Sequence, residues 1–110
     1  MDKTRFSSSP DSDAGALMST LLGSLLDDFD SGFRRGEELL GSCPDTVLTE
    51  QERHQLAQRL SEGKRGIAAT RALLNASDQP IAISVDALRP WHLLITEVWR
   101  LSARLGTESA

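Results

Sequence analysis

Few residues in this chain are equipped for chemistry, and their spacing argues against most of it. There are two histidines, His54 and His92, one cysteine, Cys43, and 16 acidic residues. A di-metal centre in a helical bundle is built from Glu-x-x-His pairs on facing helices, and the sequence has no such pair. His54 follows Glu50 by four positions in a charged helix start, the pattern of a solvated pair. Asp27, Asp28 and Asp30 form a run of carboxylates, but at 100° per residue they fan over the polar side of a helix instead of converging. Cys43 falls at a helix C-terminus, where the dipole opposes a thiolate. Phosphate-binding glycine loops, nucleophile elbows and calcium loops have no counterpart in the sequence. The expectation is a protein without catalysis, metal or cofactor. What remains is PWHLLITEVW at residues 90–99, which holds both tryptophans of a chain without tyrosine, and a histidine beside the first.

The elements that must carry these side chains are legible from periodicity. Residues 1–13 are rich in serine and aspartate and have one large apolar side chain, Phe6, so the spacing predicts a flexible tail. Over residues 14–40, Met18, Leu22, Leu25, Phe29, Phe33, Gly36 and Leu40 recur at steps of three and four, the stripe of an amphipathic helix. Gly41 and Pro44 supply a stop, glycine by taking a left-handed cap. Thr49-Glu50-Gln51-Glu52 is a capping box, and a second helix follows over 50–76 with the stripe Leu56, Leu60, Gly63, Ile67, Thr70 and Leu74. The short link makes the two helices, each about 40 Å long, an antiparallel hairpin. Residues 77–89 alternate Ile81, Ile83 and Val85 with small side chains, which reads as an extended segment docked on the bundle. A third helix over 88–105 is expected, with Asp86 as N-cap or Pro90 in its first turn.

Gly32, Gly36, Gly63 and Gly66 lie inside these helices, each at a cost of about 1 kcal/mol relative to alanine. Either the helix backbones approach closely there, around Phe29 and Phe33, or the weakness is tolerated. Arg53, Lys64 and Arg71 share one flank of the second helix, which either meets an acidic partner or faces the first helix. On the third helix Trp91 is central to the apolar stripe, whereas Trp99 and His92 lie two turns apart on its rim. Trp99 there either closes the core or contacts a partner.

Composition narrows the function classes. A net charge of −4 disfavours nucleic acid, which rewards clustered lysine and arginine. One cysteine permits no internal disulfide. No apolar run approaches the roughly 20 residues of a membrane span, and no secretory leader is visible. These features predict a cytoplasmic protein.

LLGSLLDDFDSGFRRGEELL (21–40) together with PWHLLITEVW (90–99) resembles a short helical cyanobacterial family of unknown function, a domain-of-unknown-function family. The resemblance spans helix one to helix three. An aromatic residue often stands in that family where this chain has Gly32. It implies a cyanobacterial cytosol and carries over no catalytic or binding residue.

The reading is therefore an all-α three-helix bundle over residues 14–106. A third helix of about 27 Å covers only part of a 40 Å hairpin. One half of the hairpin should then stay bare, and the half holding Phe29, Phe33, Leu56 and Leu60 is the first candidate. Bare apolar surface marks association. The expected function is an interaction or assembly module, a homodimer or a subunit of something larger, with Phe29, Phe33, Leu56, Leu60, His92 and Trp99 as partner contacts. The alternative is a small-molecule or pigment carrier using the His92/Trp99 edge.

Overall fold

Pro10 opens the first helix, at a position where its missing N–H is no loss. The computed structural model describes residues 10–77 and 83–109, and the side chains of 14–77 and 83–106. Within these residues every element is helical: α1 is Pro10–Ser42, α2 Glu50–Ala76 and α3 Val85–Ser109. The expected three-helix bundle is thus observed, with altered boundaries. Pro10–Asp13, read from sequence as part of a tail, belong to α1, and residues 1–9 lie outside the described residues.

The capping box at the start of α2 is present in both directions. Glu52 N–H donates to Thr49 Oγ1 at 3.1 Å, and Thr49 N–H to Glu52 Oε1 at 2.9 Å. The Thr49 amide first, and then the Thr49 hydroxyl, hydrogen-bond the Glu52 carboxylate and hold that carboxyl below its ordinary range. A carboxyl lowered by folding contributes stability above the unfolded value, about 4.3 for glutamate, and that contribution is lost as pH falls through the folded value. Thr49→Ala should lower unfolding stability by about 1 kcal/mol. Thr49→Ala and Glu52→Gln should both flatten this part of the acid limb of stability against pH, measured by urea unfolding at a series of pH values.

The end of α1 is made differently from the glycine cap expected. No described residue has a positive φ, and Gly41 is helical. Arg53 reaches across from α2 to donate to the Leu40 carbonyl at 2.9 Å and to Asp45 at 2.8 Å. Val47 and Leu48 of the connecting turn are buried with Leu39, Leu40 and Cys43, and Arg104 of α3 donates to the Val47 carbonyl at 2.8 Å. The hairpin tip is therefore part of the core.

The start of α3 is the largest departure from expectation. Ser84 is its cap, accepting from the Ala87 amide at 3.2 Å, so Val85 is helical instead of extended, and residues 78–82 lie outside the described residues. Pro90 stands six residues into α3. It removes the bond to the Asp86 carbonyl on a solvent-exposed face, where water can replace the donor. With 25 residues, α3 is about 37 Å long and covers nearly the whole of α2. The bare half predicted for the hairpin does not exist. Phe29, Phe33, Leu56 and Leu60, expected as exposed contacts, are core residues.

The helices run up, down and up: α2 is antiparallel to α1, and α3 is parallel to it. Leu26, Phe33, Leu60, Ile67 and Val98 are its most buried large side chains. Close approach at the interior glycines is observed. A Cβ on Gly63 would sit 2.8 Å from the Phe33 ring, and one on Gly36 2.8 Å from Val98 and 3.0 Å from Leu60. Gly23 is different, since a Cβ there meets nothing within 4 Å. Gly23→Ala should accordingly raise stability by about 1 kcal/mol, seen as a higher Tm.

Candidate functional site: the groove between α1 and α3

The three outer seams of the bundle differ in chemistry. Between α1 and α2, Lys64 pairs with Glu37 at 2.9 Å and Arg71 with Asp27. With Arg53 capping α1, the basic flank of α2 is turned toward α1. Between α2 and α3, Arg59 pairs with Glu97. Between α1 and α3 there is no ion pair among the described residues. Asp27 and Asp30 are engaged on the α1/α2 side, with Arg71 and Arg34, so the aspartate run does fan apart. Among the described residues no three of His, Cys, Asp and Glu gather as a metal-binding group. Cys43 is buried, its thiol directed to the Pro44 carbonyl at 3.6 Å, and His54 is exposed.

The α1/α3 seam holds a groove of about 310 Å³. From α1 it takes Leu25, Asp28, Phe29 and Gly32, which follow one another at helical spacing of three and four. From α3 it takes His92, Ile95 and Trp99 in the same spacing. Helix periodicity thus sets both walls. Gly32 lets α3 close: a Cβ there would fall 2.2 Å from Ile95 Cδ1. Phe29 is the hub of the aromatic side chains. Its ring lies 6.2 Å from Phe33 in a stacked arrangement, 5.6 Å from Trp91 edge-on, and 5.1 Å from His92 at 83°. His92 is held by this contact while the residue stays exposed. Trp91, expected at the centre of the stripe, is only partly buried, because its indole lies over Gly66 at the edge of the α2/α3 seam. Trp99 is 67% exposed.

Of the six residues expected as contacts, then, Phe29, His92 and Trp99 come together on one groove, with Phe29 as its buried base, whereas Phe33, Leu56 and Leu60 lie in the core. Sequence reasoning missed Asp28 and Gly32 as its lining. It also missed Leu17, Met18 and Leu21, whose exposure could have been suspected from AGALMSTLLGSLL, a stretch over residues 14–26 without a charge. The groove offers one imidazole and one carboxylate among apolar and aromatic surface.

Fold and groove together define an all-α three-helix protein with one charge-poor, aromatic-edged seam. No helix among the described residues is long and apolar enough to cross a membrane. The chain belongs to the family described as "Protein of unknown function (DUF2605)", which matches residues 12–107. No curated protein and no solved structure matches it.

Proposed function

We propose that the protein is a small helical interaction module, without catalysis of its own, that docks a protein partner on its α1/α3 face, in a cyanobacterial cell as the resemblance above implies. The observation that carries this reading is the contrast between the seams. The α1/α2 seam carries two ion pairs and the α2/α3 seam one, whereas the α1/α3 seam has none among the described residues and bears an indole that is 67% exposed. Interface centres are depleted in charge and enriched in aromatics, and tryptophan is prominent among residues that dominate binding energy. A lone exposed tryptophan in water gains nothing from its position beside a groove. Capture from a cyanobacterial extract on the immobilised full chain tests the reading. Trp99→Glu should lose the bound protein, and Leu93→Glu, on the opposite flank of α3, should keep it. Both are exposed positions, so each variant should fold within about 0.5 kcal/mol of the parent. Capture that survives Trp99→Glu undiminished would overturn the proposal.

The carrier reading is favoured by the groove itself. Small-molecule sites run from about 300 to 1,000 Å³ and bury most of the ligand. Here about 310 Å³ is available and the Trp99 wall stands in solvent, so a pigment would stay largely wet. A visible absorption band in protein purified from its host would favour the carrier over the module.

A further inference from the structure

Among the described residues, the contacts that set register leave one part of α1 without a partner helix. Phe29 meets His92 and Gly32 meets Ile95, which puts Val85, the first residue of α3, level with Leu22. The Asp27–Arg71 pair brings the end of α2, Ala76, to nearly the same level. The residues of α1 before Leu22 therefore extend beyond both partner helices by about 18 Å. This overhang exposes Leu17 by 60%, Met18 by 53% and Leu21 by 56%. On the helix surface Met18 and Leu21 continue the side of α1 that carries Leu25 and Gly32, the side facing α3. On α3, Val85, 80% exposed, shares the α1-facing edge with His92 and Trp99. One face of the molecule thus has apolar projections on the overhang and, next to them along α1, a glycine-floored groove.

We infer that the occupant of this face is a second copy of the chain, packed antiparallel so that the overhang of each copy lies in the α1/α3 groove of the other. This rests on the interaction-module reading and names its partner. A two-fold axis maps one patch onto itself with its ends exchanged, so a surface with a projection at one end and a hollow at the other satisfies both in a single contact. Leu17 and Gly32 are separated by about 22 Å along α1, and the same separation, reversed, recurs on the second copy. The area is sufficient. With about 160 to 260 Å² accessible on the free side chains, Leu17, Met18, Leu21, Val85 and Trp99 expose about 600 Å² per copy, about 1,200 Å² for a pair, which is where stable interfaces begin. Residues 14–26 carry no charge, so no like-charge repulsion opposes their docking, and the groove's one carboxylate, Asp28, shares its lining with the His92 imidazole. A lipid surface fits less well. Amphipathic membrane helices are rich in lysine and arginine, and between Arg5 and Arg34 this chain has neither, with Asp11, Asp13, Asp27, Asp28 and Asp30 instead.

Sedimentation equilibrium of the full chain across the micromolar range tests the inference. The wild type should move from the 12.0 kDa monomer toward twice that mass. Leu21→Asp in the overhang and Trp99→Asp in the groove should each weaken the dimer about tenfold or more, equivalent to 1.4 kcal/mol. Leu93→Asp should leave it unchanged. Mixing the Leu21→Asp and Trp99→Asp chains should partly restore association, since one intact overhang then meets one intact groove. Chains carrying Leu17→Cys mixed with chains carrying Trp99→Cys should form an intermolecular disulfide in preference to either alone. A wild type that stays monomeric throughout, or a Leu93→Asp that dissociates as fully as Leu21→Asp, overturns the inference. If the wild type is monomeric yet captures a different protein in a Trp99-dependent way, the second copy is wrong and the module reading stands. Monomer without such capture overturns both.

Discussion

Phe33→Ala is expected to lower the free energy of unfolding by about 3 to 5 kcal/mol. The side chain is 0% exposed and its ring is the body against which Gly63 of α2 is fitted, so its removal opens a cavity at the point where the helices approach closely. Small domains are stable by roughly 5 to 15 kcal/mol, and a loss of this size consumes much of that. Denaturant unfolding should show the midpoint falling with the slope retained, and Tm should drop by roughly 15 °C or more. A loss below 1 kcal/mol would mean that Phe33 is not the core residue described. The outcome also separates two accounts of the same sequence pattern, since an exposed contact residue would tolerate alanine.

The second large effect concerns the glycine opposite. Gly63→Val should destabilise by about 2 to 3 kcal/mol through overpacking, although glycine itself costs a helix about 1 kcal/mol relative to alanine. The added carbon would lie 2.8 and 3.1 Å from two atoms of the Phe33 ring and 3.2 Å from Leu94. A buried ring has no direction in which to yield. Gly32 has the shorter approach, 2.2 Å to Ile95 Cδ1, but that atom is the end of a flexible chain lining an open groove. Gly32→Ala should therefore cost less than Gly63→Ala, against the order of the distances. Thermal unfolding of the two alanine variants decides it, and equal losses would contradict the packing account.

These two variants also mark where sequence stops being sufficient. Leu56, Leu60, Gly63 and Ile67 are legible as a stripe because helical periodicity is local: it fixes which side chains share a face whatever that face meets. The capping box of Thr49 and Glu52 is legible for the same reason, since all its partners lie within four residues. The glycines at 32, 36 and 63 signalled close approach because they carry a helical cost on or beside the apolar stripes, where a neighbouring helix can offset it; Gly23 carries the same cost with nothing near it.

The errors arose where a distant or competing partner decides. The stop of α1 was read as a glycine cap at Gly41, yet it is the guanidinium of Arg53, on the flank of α2 that does face α1, that meets the Leu40 carbonyl thirteen positions away. The start of α3 was read with Asp86 as N-cap or Pro90 in the first turn, but Ser84 caps it, and Phe29, Phe33 and Leu60 are core because the register of α3 sets Trp91 and His92 on Phe29, Leu94 at the Phe33–Gly63 contact and Val98 beside Leu60 at Gly36. His92 and Trp99 were placed on one rim correctly, while the opposite wall, Asp28 and Gly32, could not be seen without the register of α1 against α3.

By itself, then, the sequence determined that there are three helices, which face of each is apolar and how α2 begins, because these depend on interactions between near neighbours in the chain. The tertiary structure alone decided how far each helix reaches along the others. That relative register is set by packing between segments far apart in sequence, and it determines which apolar side chains are core and which, like Leu17, Leu21 and Trp99, are left facing water.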